Sequence, residues 1–475
     1  MVAEFQSGRL DWAALRRSSD LARFCFISLG VMLHATNETM LATVMPALVR
    51  DLSGVEMIGW SLSIYELGAI TAGAAAGRMI SYLSLRSTMV LAALLYALGA
   101  AICALSPSMP LFLLGRVIEG LGCGGLMGLA FVSVERLFPS MVWPQLFAII
   151  SVVWGVSAFS GPLLGALFVE HFSWRAAFVL FAGAGLAMAC ASLIILRGAA
   201  LRIGLAGEDI PPPFPVLSLA ALATGVVMIA AAGVVHGVLA ATMLFALGIT
   251  GLVLFFRLDA RNARSRLFPS KLFDWHRPLG AGMIMVGSLS IATCSFFIYG
   301  PILLTSLHGI SVLTTGYIIA AESIAWSVLS IAVANLRAAN ERLVIVAGAV
   351  MIAAGIAGFA YAVPAGSLPL ILFCALLQGG GFGIAWPFVT RMVVTAAPED
   401  ERTVASSGVS ALQRIGYATG AALCGIVANE AGFSKGLSTD TAAHVAPWLF
   451  LAFLPLAALG VVAAVKLVRH PAPAV

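Results

Sequence analysis

Apolar runs of 20 or more residues, separated by short polar segments, recur from residue 24 to residue 467 of this 475-residue chain. A run of that length forms a helix long enough to cross the hydrocarbon layer of a bilayer, which is about 30 Å thick. Only 10% of the residues are charged, against about 25% in an average soluble domain. We therefore predict an all-α polytopic membrane protein.

The apolar runs predict fourteen spans in a six, two and six arrangement. They lie at 24–48, 57–79, 87–107, 110–134, 143–168, 176–197, 216–235, 238–257, 279–304, 312–336, 343–363, 367–391, 403–428 and 446–467. The middle pair meets at His236 and Gly237, and one helix of about forty residues would be too long for the bilayer. If neither of the pair crossed, the chain would have twelve spans.

The predicted organisation follows from these spans. It comprises an N-terminal cytoplasmic segment, 1–23; a six-helix bundle, 24–197; a linker with two extra helices and a basic loop, 198–278; a second bundle, 279–467; and a tail, 468–475. No small-residue cleavage site follows the first apolar run, so we expect that span to stay in the protein.

Positive charge supports this topology. With the N-terminus inside, 21 of the 26 Lys and Arg residues fall in cytoplasmic segments, and Arg50, Arg175 and Lys435 fall outside. This bias obeys the positive-inside rule and predicts two cytoplasmic termini in a cell (inner) membrane. It also explains the net charge of +5 without a nucleic-acid partner. The basic loop at 257–277 is interpreted as a topology determinant.

Glu38 lies in the middle of the first predicted span, one helical turn after His34. A carboxylate at that depth costs roughly 2.5–3.5 kcal/mol on insertion scales, and such residues are commonly functional. Both side chains can exchange protons. We predict a role in proton coupling; the alternative is an i,i+4 pair that holds helices together.

Further charged residues lie inside predicted spans: Glu66, Glu119, Glu322 and Arg414. With this topology all except Glu119 fall near mid-depth, where a central cavity would lie. Possible cavity residues are Asn37, Trp154, Tyr299, Trp326, Trp386, Gln413 and Arg414. Aromatic rings there could contact an apolar or cationic substrate, although packing or interfacial anchoring is the alternative for each ring.

Two glycine clusters, at 120–128 and 379–383, each lie in the fourth span of a half. Small residues let membrane helices approach closely, and neither a preceding strand nor a GK[ST] sequence favours a phosphate loop. The matching positions suggest duplicated halves with a substrate site between them. The seven cysteines lie in apolar segments without metal-site spacing, and we interpret them as packing residues.

Three local patterns carry a resemblance to a known family. The fifth span contains Gly161, Pro162 and Gly165 in a GPLLGA sequence, similar to GPxxGG, and Pro162 permits a kink. The fourth contains RVIEGLG at 116–122, similar to RxxQGxG with Glu119 in place of glutamine. The segment 77–86 matches a GxxxDxxGRK-like pattern only at Gly77 and Arg86, with Ser81 in place of the acid and Ser84 in place of the second glycine. The chain thus resembles the major facilitator superfamily, specifically its fourteen-span drug:proton antiporter branch.

That resemblance implies two six-helix bundles plus two central helices, with Arg116 tuning a nearby carboxylate during proton coupling. A structural ion pair between Arg116 and Glu119 is the alternative. The branch commonly carries an aspartate nine residues before the proline that ends span one, a position held here by Asn37. Either Glu38, about 100° further around the helix, substitutes for it, or Glu66 carries the role.

The predicted function is export of small lipophilic or cationic compounds in antiport with protons, by alternating access. We expect no cofactor, because the proton gradient supplies the energy, and we expect a monomer that binds a small-molecule substrate, protons and lipid. The alternatives are an exporter or importer of one metabolite or lipid and, from a different class, a non-transporting sensor or a membrane enzyme. An enzyme is disfavoured because no His, Asp or Cys cluster lies near a membrane face.

Overall fold

The computed structural model describes residues 20–137, 143–196, 214–235, 237–262, 265–333 and 340–469. Within these ranges the regular secondary structure is helical. The helices are α1 (Asp20–Leu52), α2 (Ile58–Tyr82), α3 (Leu85–Leu105), α4 (Met109–Leu137), α5 (Trp143–His171), α6 (Trp174–Ile195), α7 (Val216–Ala232), α8 (Val238–Arg261), α9 (Pro278–Ala292), α10 (Cys294–His308), α11 (Val312–Val333), α12 (Glu341–Ala365), α13 (Leu368–Ala396), α14 (Arg402–Ala431), α15 (Thr439–Leu451) and α16 (Leu454–Arg469).

Each predicted span corresponds to one of these helices or to a closely spaced pair. The ninth span is divided into α9 and α10 at Thr293, whose hydroxyl donates to the Leu289 carbonyl at 3.0 Å. The last span is divided into α15 and α16, and it begins at Thr439 rather than 446. The earlier start follows from the Ser438 cap, whose hydroxyl accepts from the Thr441 N–H.

Ten helical segments in the described ranges are long and apolar enough to cross a membrane. The remaining four are α1, α2, α7 and α14. Glu38 in α1, Glu66 in α2 and Arg414 in α14 are mid-helix charged residues that make these three helices less apolar. The fourth helix, α7, is shorter, with 17 residues. Helices at the fourteen predicted spans are confirmed, whereas fourteen membrane crossings remain a prediction.

The residue contacts define two compact units. The first unit contains residues 1–41 and 68–214, and the second contains residues 42–67 and 215–475. Both α1 and α2 therefore contribute to each unit. The bundle limits predicted from the sequence, 24–197 and 279–467, stay a prediction.

Glycine packing holds the first unit together around α4. A Cβ at Gly124 would overlap the backbone of Ala69 in α2, and a Cβ at Gly122 would overlap that of Tyr96 in α3. These overlaps mean that α4 lies in backbone contact with both neighbours, as small residues permit in membrane helices. The glycine cluster at 120–128 is thus confirmed as a packing surface.

In the second unit, glycines likewise allow close helix packing around α13. A Cβ at Gly379 would overlap the Glu322 carbonyl oxygen in α11, and one at Gly381 would lie 2.5 Å from the Gly348 carbonyl oxygen in α12. The extra helices α7 and α8 also pack through glycines, since a Cβ at Gly251 would lie 2.8 Å from the Gly225 Cα.

Carboxylates order the basic loop between α8 and α9. Asp259 accepts hydrogen bonds from the backbone N–H groups of Leu267 and Phe268, at 2.8 and 3.0 Å. Glu401 pairs with Arg266 at 3.0 Å and accepts from the Ser270 N–H at 3.0 Å. The loop therefore has a structural role beside the topological one predicted for it.

Protonation of Glu401 should weaken this loop contact. Burial alone would raise the pKa of Glu401, but hydrogen bonds from Ser270 and the charge of Arg266 outweigh it and lower the pKa. A lowered pKa means that the stabilisation is complete above the ordinary value of about 4.3 and is lost as pH falls through the folded-state pKa. Glu401→Gln should therefore cost about 1–2 kcal/mol at pH 7, and the difference from wild type should shrink below about pH 4.

Thermal unfolding in detergent between pH 7 and pH 3.5 measures this difference. Glu399→Gln is the matched control, because the Glu399 side chain is 88% exposed and its contact with Arg402 is 3.6 Å long. A pH-independent difference between wild type and Glu401→Gln would contradict the assignment.

Candidate functional site

Arg116, Glu119 and Asn37 form a closed, fully buried network in the first unit. Arg116 Nη1 donates to Glu119 Oε2 at 2.5 Å and to Asn37 Oδ1 at 2.9 Å, and Asn37 Nδ2 donates to Glu119 Oε1 at 2.7 Å. The amide of Asn37 accepts from the cation and donates to the anion, so its orientation is fixed by the network. Both oxygens of the Glu119 side chain therefore accept a hydrogen bond within the network.

Asn37 occupies the position where the resemblance implies an aspartate, and Glu119 occupies the position where it implies a glutamine. These two residues contact each other. Acid and amide have exchanged places while both remain beside Arg116. The Cys103 thiol adds a weak donor 3.9 Å from Glu119 Oε2. The predicted Arg116–Glu119 pair is confirmed as a contact; its role in coupling stays a prediction.

His34 and Glu38 form the i,i+4 contact that their spacing predicted, with His34 Nε2 at 3.5 Å from Glu38 Oε2. The imidazole is buried, and its Nδ1 lies 3.0 Å from the Cys123 thiol. The ring of Trp154 meets the imidazole edge to face, with ring centroids 5.5 Å apart. His34 thus connects Glu38 to α4.

Glu66 and Arg414 meet in the second unit although 348 residues separate them. Arg414 Nη1 lies 2.9 Å from Glu66 Oε2; the carboxylate side chain is fully buried and that of the arginine is 19% exposed. Next to Arg414, Gln413 donates to the Tyr417 hydroxyl at 2.9 Å. A buried pair of this kind depends on both charges, because loss of one leaves the other unbalanced.

Glu322 contacts an amide instead of a cation. Gln378 Nε2 donates to Glu322 Oε1 at 2.6 Å, joining α11 to α13. Gln378 was not predicted as a site residue. The available signal was its position immediately before the glycine cluster at 379–383, which matches the position of Glu119 before the cluster at 120–128.

The predicted aromatic residues have different environments. Trp326 stacks on Phe382 with ring centroids 4.7 Å apart, and Trp386 lies 5.8 Å from Trp326. Tyr299 is fully buried beside Phe433, so in this structure it packs inside the second unit. For Trp326 and Trp386 a substrate role stays a prediction.

The GP pattern of α5 contacts α1. A Cβ at Gly161 would overlap the Thr39 hydroxyl and lie 2.8 Å from the Thr36 carbonyl oxygen, and Thr39 donates to the Ser157 carbonyl at 3.1 Å. Pro162 lies within a helix assigned continuously through it, and Gly165 is buried one turn further on. The motif therefore provides close helix packing; a pivot role stays a prediction.

Several sequence predictions fall outside the described residues. They concern residues 1–19 of the predicted N-terminal segment, residues 198–213 of the linker, the turn at His236, residues 263–264 of the basic loop, the end of the span 312–336 and residues 470–475 of the tail. In the segment 77–86 the surroundings of Gly77, Arg78 and Ser81 are also outside the description.

Comparison with known proteins gives a family match along most of the chain. The family described as Major Facilitator Superfamily matches residues 27–337 and 283–475. Two proteins named "Probable multidrug-efflux transporter", from two strains of Mycobacterium tuberculosis, are each 28% identical over 452 residues. Each alignment covers 91% of this chain and 92% of the relative.

Solved structures show the same fold at low sequence identity. The POT family transporter PepTSo has a TM-score of 0.66 at 13% identity, with 94% of this chain and 97% of that chain covered. A D-xylose-proton symporter has a TM-score of 0.63 at 14% identity, with 95% and 97% covered. Both likenesses concern the arrangement of helices.

Proposed function

Because the chain belongs to the major facilitator superfamily, we propose that it exports small lipophilic or cationic compounds in exchange for protons, by alternating access. The family match identifies a multi-pass membrane transporter and not an enzyme. The exchange with protons, the direction and the substrate class are the proposal.

The observation that carries the proton coupling is the buried Glu66–Arg414 pair. A proton taken up by Glu66 would remove its charge and weaken its contact with Arg414. Because Glu66 lies on α2 and Arg414 on α14, proton uptake would change how these two helices hold each other. A protonation step that alters helix contacts is what a proton-driven conformational cycle requires.

Export of varied compounds is supported by the relatives named as multidrug-efflux transporters, which align over nearly their whole length. The positive-inside bias supports a cell (inner) membrane location with cytoplasmic termini, and we propose a monomer as the working form. Transport of a single metabolite or lipid is the second candidate, since the fold itself serves different substrates.

The proposal is tested with purified protein in proteoliposomes, using ethidium as a fluorescent lipophilic cation. An imposed pH difference should drive ethidium flux, and a protonophore should abolish it. Glu66→Gln should reduce gradient-driven flux at least about tenfold, because one lost charge-assisted contact is worth on the order of 1.4 kcal/mol or more. Glu66→Gln combined with Arg414→Gln should fold better than Arg414→Gln alone, because no buried charge is left unbalanced.

The assignment of proton coupling to Glu66 is wrong if Glu66→Gln leaves gradient-driven flux intact. Proton coupling by these glutamates is wrong altogether if Glu38→Gln and Glu322→Gln leave it intact as well. Flux of one metabolite with no response to ethidium or other lipophilic cations would favour the single-substrate alternative. Binding without flux would favour a sensor.

A further inference from the structure

Four glutamates in the middle of helices differ in what balances their charge. Glu119 contacts Arg116, Glu66 contacts Arg414, and Glu38 lies beside His34. No ion pair to Glu322 is present among the residues that the structure describes, and its polar contact is the amide of Gln378.

Two acceptor atoms at this pair lack a donor. Glu322 Oε2 and Gln378 Oε1 are both covered from solvent, and neither accepts a hydrogen bond from the described part of the chain. Each atom is one carbon away from the Nε2–Oε1 hydrogen bond, so the two acceptors belong to a single small site. A buried acceptor without a donor costs about 1–3 kcal/mol, and more if it is charged. Among the described residues Glu66 Oε1 also lacks a donor, but Arg414 balances the charge of that carboxylate.

The two helices that contain glycine clusters, α4 and α13, differ in whether an arginine lies near the polar pair. Glu119 in α4 and Gln378 in α13 both precede a glycine cluster and both join a carboxylate to an amide. Three residues before Glu119 is Arg116; three residues before Gln378 is Ala375, which is fully buried. The guanidinium that completes the network in the first unit has no equivalent on α13.

Two stacked aromatic rings lie one helical turn from the Glu322–Gln378 pair. Trp326 follows Glu322 by four residues and Phe382 follows Gln378 by four, and their rings stack with an interplanar angle of 7°. Residues four apart share a helix face, so the polar pair and the stack form successive contacts between α11 and α13. Although Glu322 Oε2 is covered, the residue as a whole is partly exposed.

We propose that the Glu322–Gln378 pair binds the cationic group of a ligand that carries at least two N–H bonds, such as a primary ammonium or a guanidinium. One N–H donates to Glu322 Oε2 and another to Gln378 Oε1, and the positive charge takes the place that Arg116 has in the first unit. A quaternary ammonium has no N–H and leaves both acceptors without a donor. The inference rests on the proposed function for the ligand being a cation, and it adds the type of cation and the residues that select it.

The test compares two matched probes, 2-(1-naphthyl)ethylammonium and its N,N,N-trimethyl derivative, by isothermal titration calorimetry at pH 7 without any gradient. Wild-type protein should bind the primary ammonium at least about tenfold more tightly, because the derivative leaves two buried acceptors unsatisfied. Glu322→Gln should weaken both probes, since it removes the charge. Gln378→Met should weaken the primary ammonium and leave the trimethyl derivative within about twofold, because it removes one acceptor and keeps the carboxylate.

Glu430→Gln is the matched control, because Glu430 is an exposed glutamate near the end of α14. It should keep the wild-type affinities. Size-exclusion chromatography checks that each variant is folded; should Glu322→Gln misfold, the wild-type probe ratio and Gln378→Met decide.

Equal affinity of wild type for the two probes, or binding of neither, would overturn the inference. An unchanged preference in Gln378→Met would do the same. The proposed function fails separately: wild-type protein could prefer the primary ammonium in calorimetry and still show no pH-driven flux in proteoliposomes. Conversely, pH-driven flux without the preference would leave the proposed function standing and remove this site.

Discussion

Glu119→Gln should unfold at a clearly lower temperature than wild type, and adding Asn37→Asp to the same chain should restore most of the loss. The single change removes the Glu119 carboxylate from the fully buried Arg116, and breaking a buried ion pair in this way costs about 3–5 kcal/mol. Asn37 Oδ1 already lies 2.9 Å from Arg116 Nη1, so an aspartate of the same shape returns the missing charge. The measurement is thermal unfolding in detergent, followed by flux in proteoliposomes.

The two single variants make the result specific. Asn37→Asp alone places two carboxylates beside one guanidinium and should also be destabilised, since like charges in a buried site disfavour each other. The double variant should therefore be more stable than the sum of the two single losses predicts. Such non-additivity is the result expected for residues that interact directly. A double variant that is as unstable as the sum of its parents would show that the network does not control stability.

Gly379→Ala is expected to destabilise the second unit by about 2 kcal/mol or more. The added methyl group would overlap the Glu322 carbonyl oxygen of α11, and backbone atoms cannot move aside as a flexible side chain can. The two helices would have to separate, which would also lengthen the Gln378–Glu322 hydrogen bond. Thermal unfolding measures the first effect, and binding of the naphthyl probes measures the second.

Gly183→Ala is the control for this change. Gly183 lies inside α6, where nothing is within 4 Å of an added Cβ. Alanine there should leave stability unchanged or raise it by up to about 1 kcal/mol, because alanine has the higher helix propensity. Equal losses in the two variants would mean that glycine at position 379 is not required by the α11–α13 contact.

Helix positions could be predicted from the sequence because each apolar run is bounded by polar segments and helix caps. The errors have local causes. The start of α15 was placed at 446 because the preceding segment is polar, whereas Ser438 caps a helix that begins at Thr439. The break at Thr293 leaves no gap in the apolar run, so a pattern of hydrophobicity does not reveal it.

Local pairs of the site were also predictable. Arg116–Glu119 and His34–Glu38 follow from helical spacing alone. The contact between Glu66 and Arg414 could not be predicted in this way, because it joins residues 348 positions apart. Gln378 was missed since an uncharged amide in an apolar helix costs less than a carboxylate and draws less attention. Its place before the glycine cluster was the usable signal.

The amide contact of Glu322, in place of an ion pair among the described residues, has a consequence for how the membrane potential would act on transport. A Glu322 carboxylate that holds one singly charged ammonium is electrically neutral. If Glu66 takes up one proton for each ammonium that Glu322 releases, one positive charge crosses in each direction during a cycle, and the roughly 2.3 kcal/mol per charge that 100 mV supplies cancels. Such an exchange would be electroneutral, so the difference in pH, and not the voltage, would set how far the compound can be concentrated.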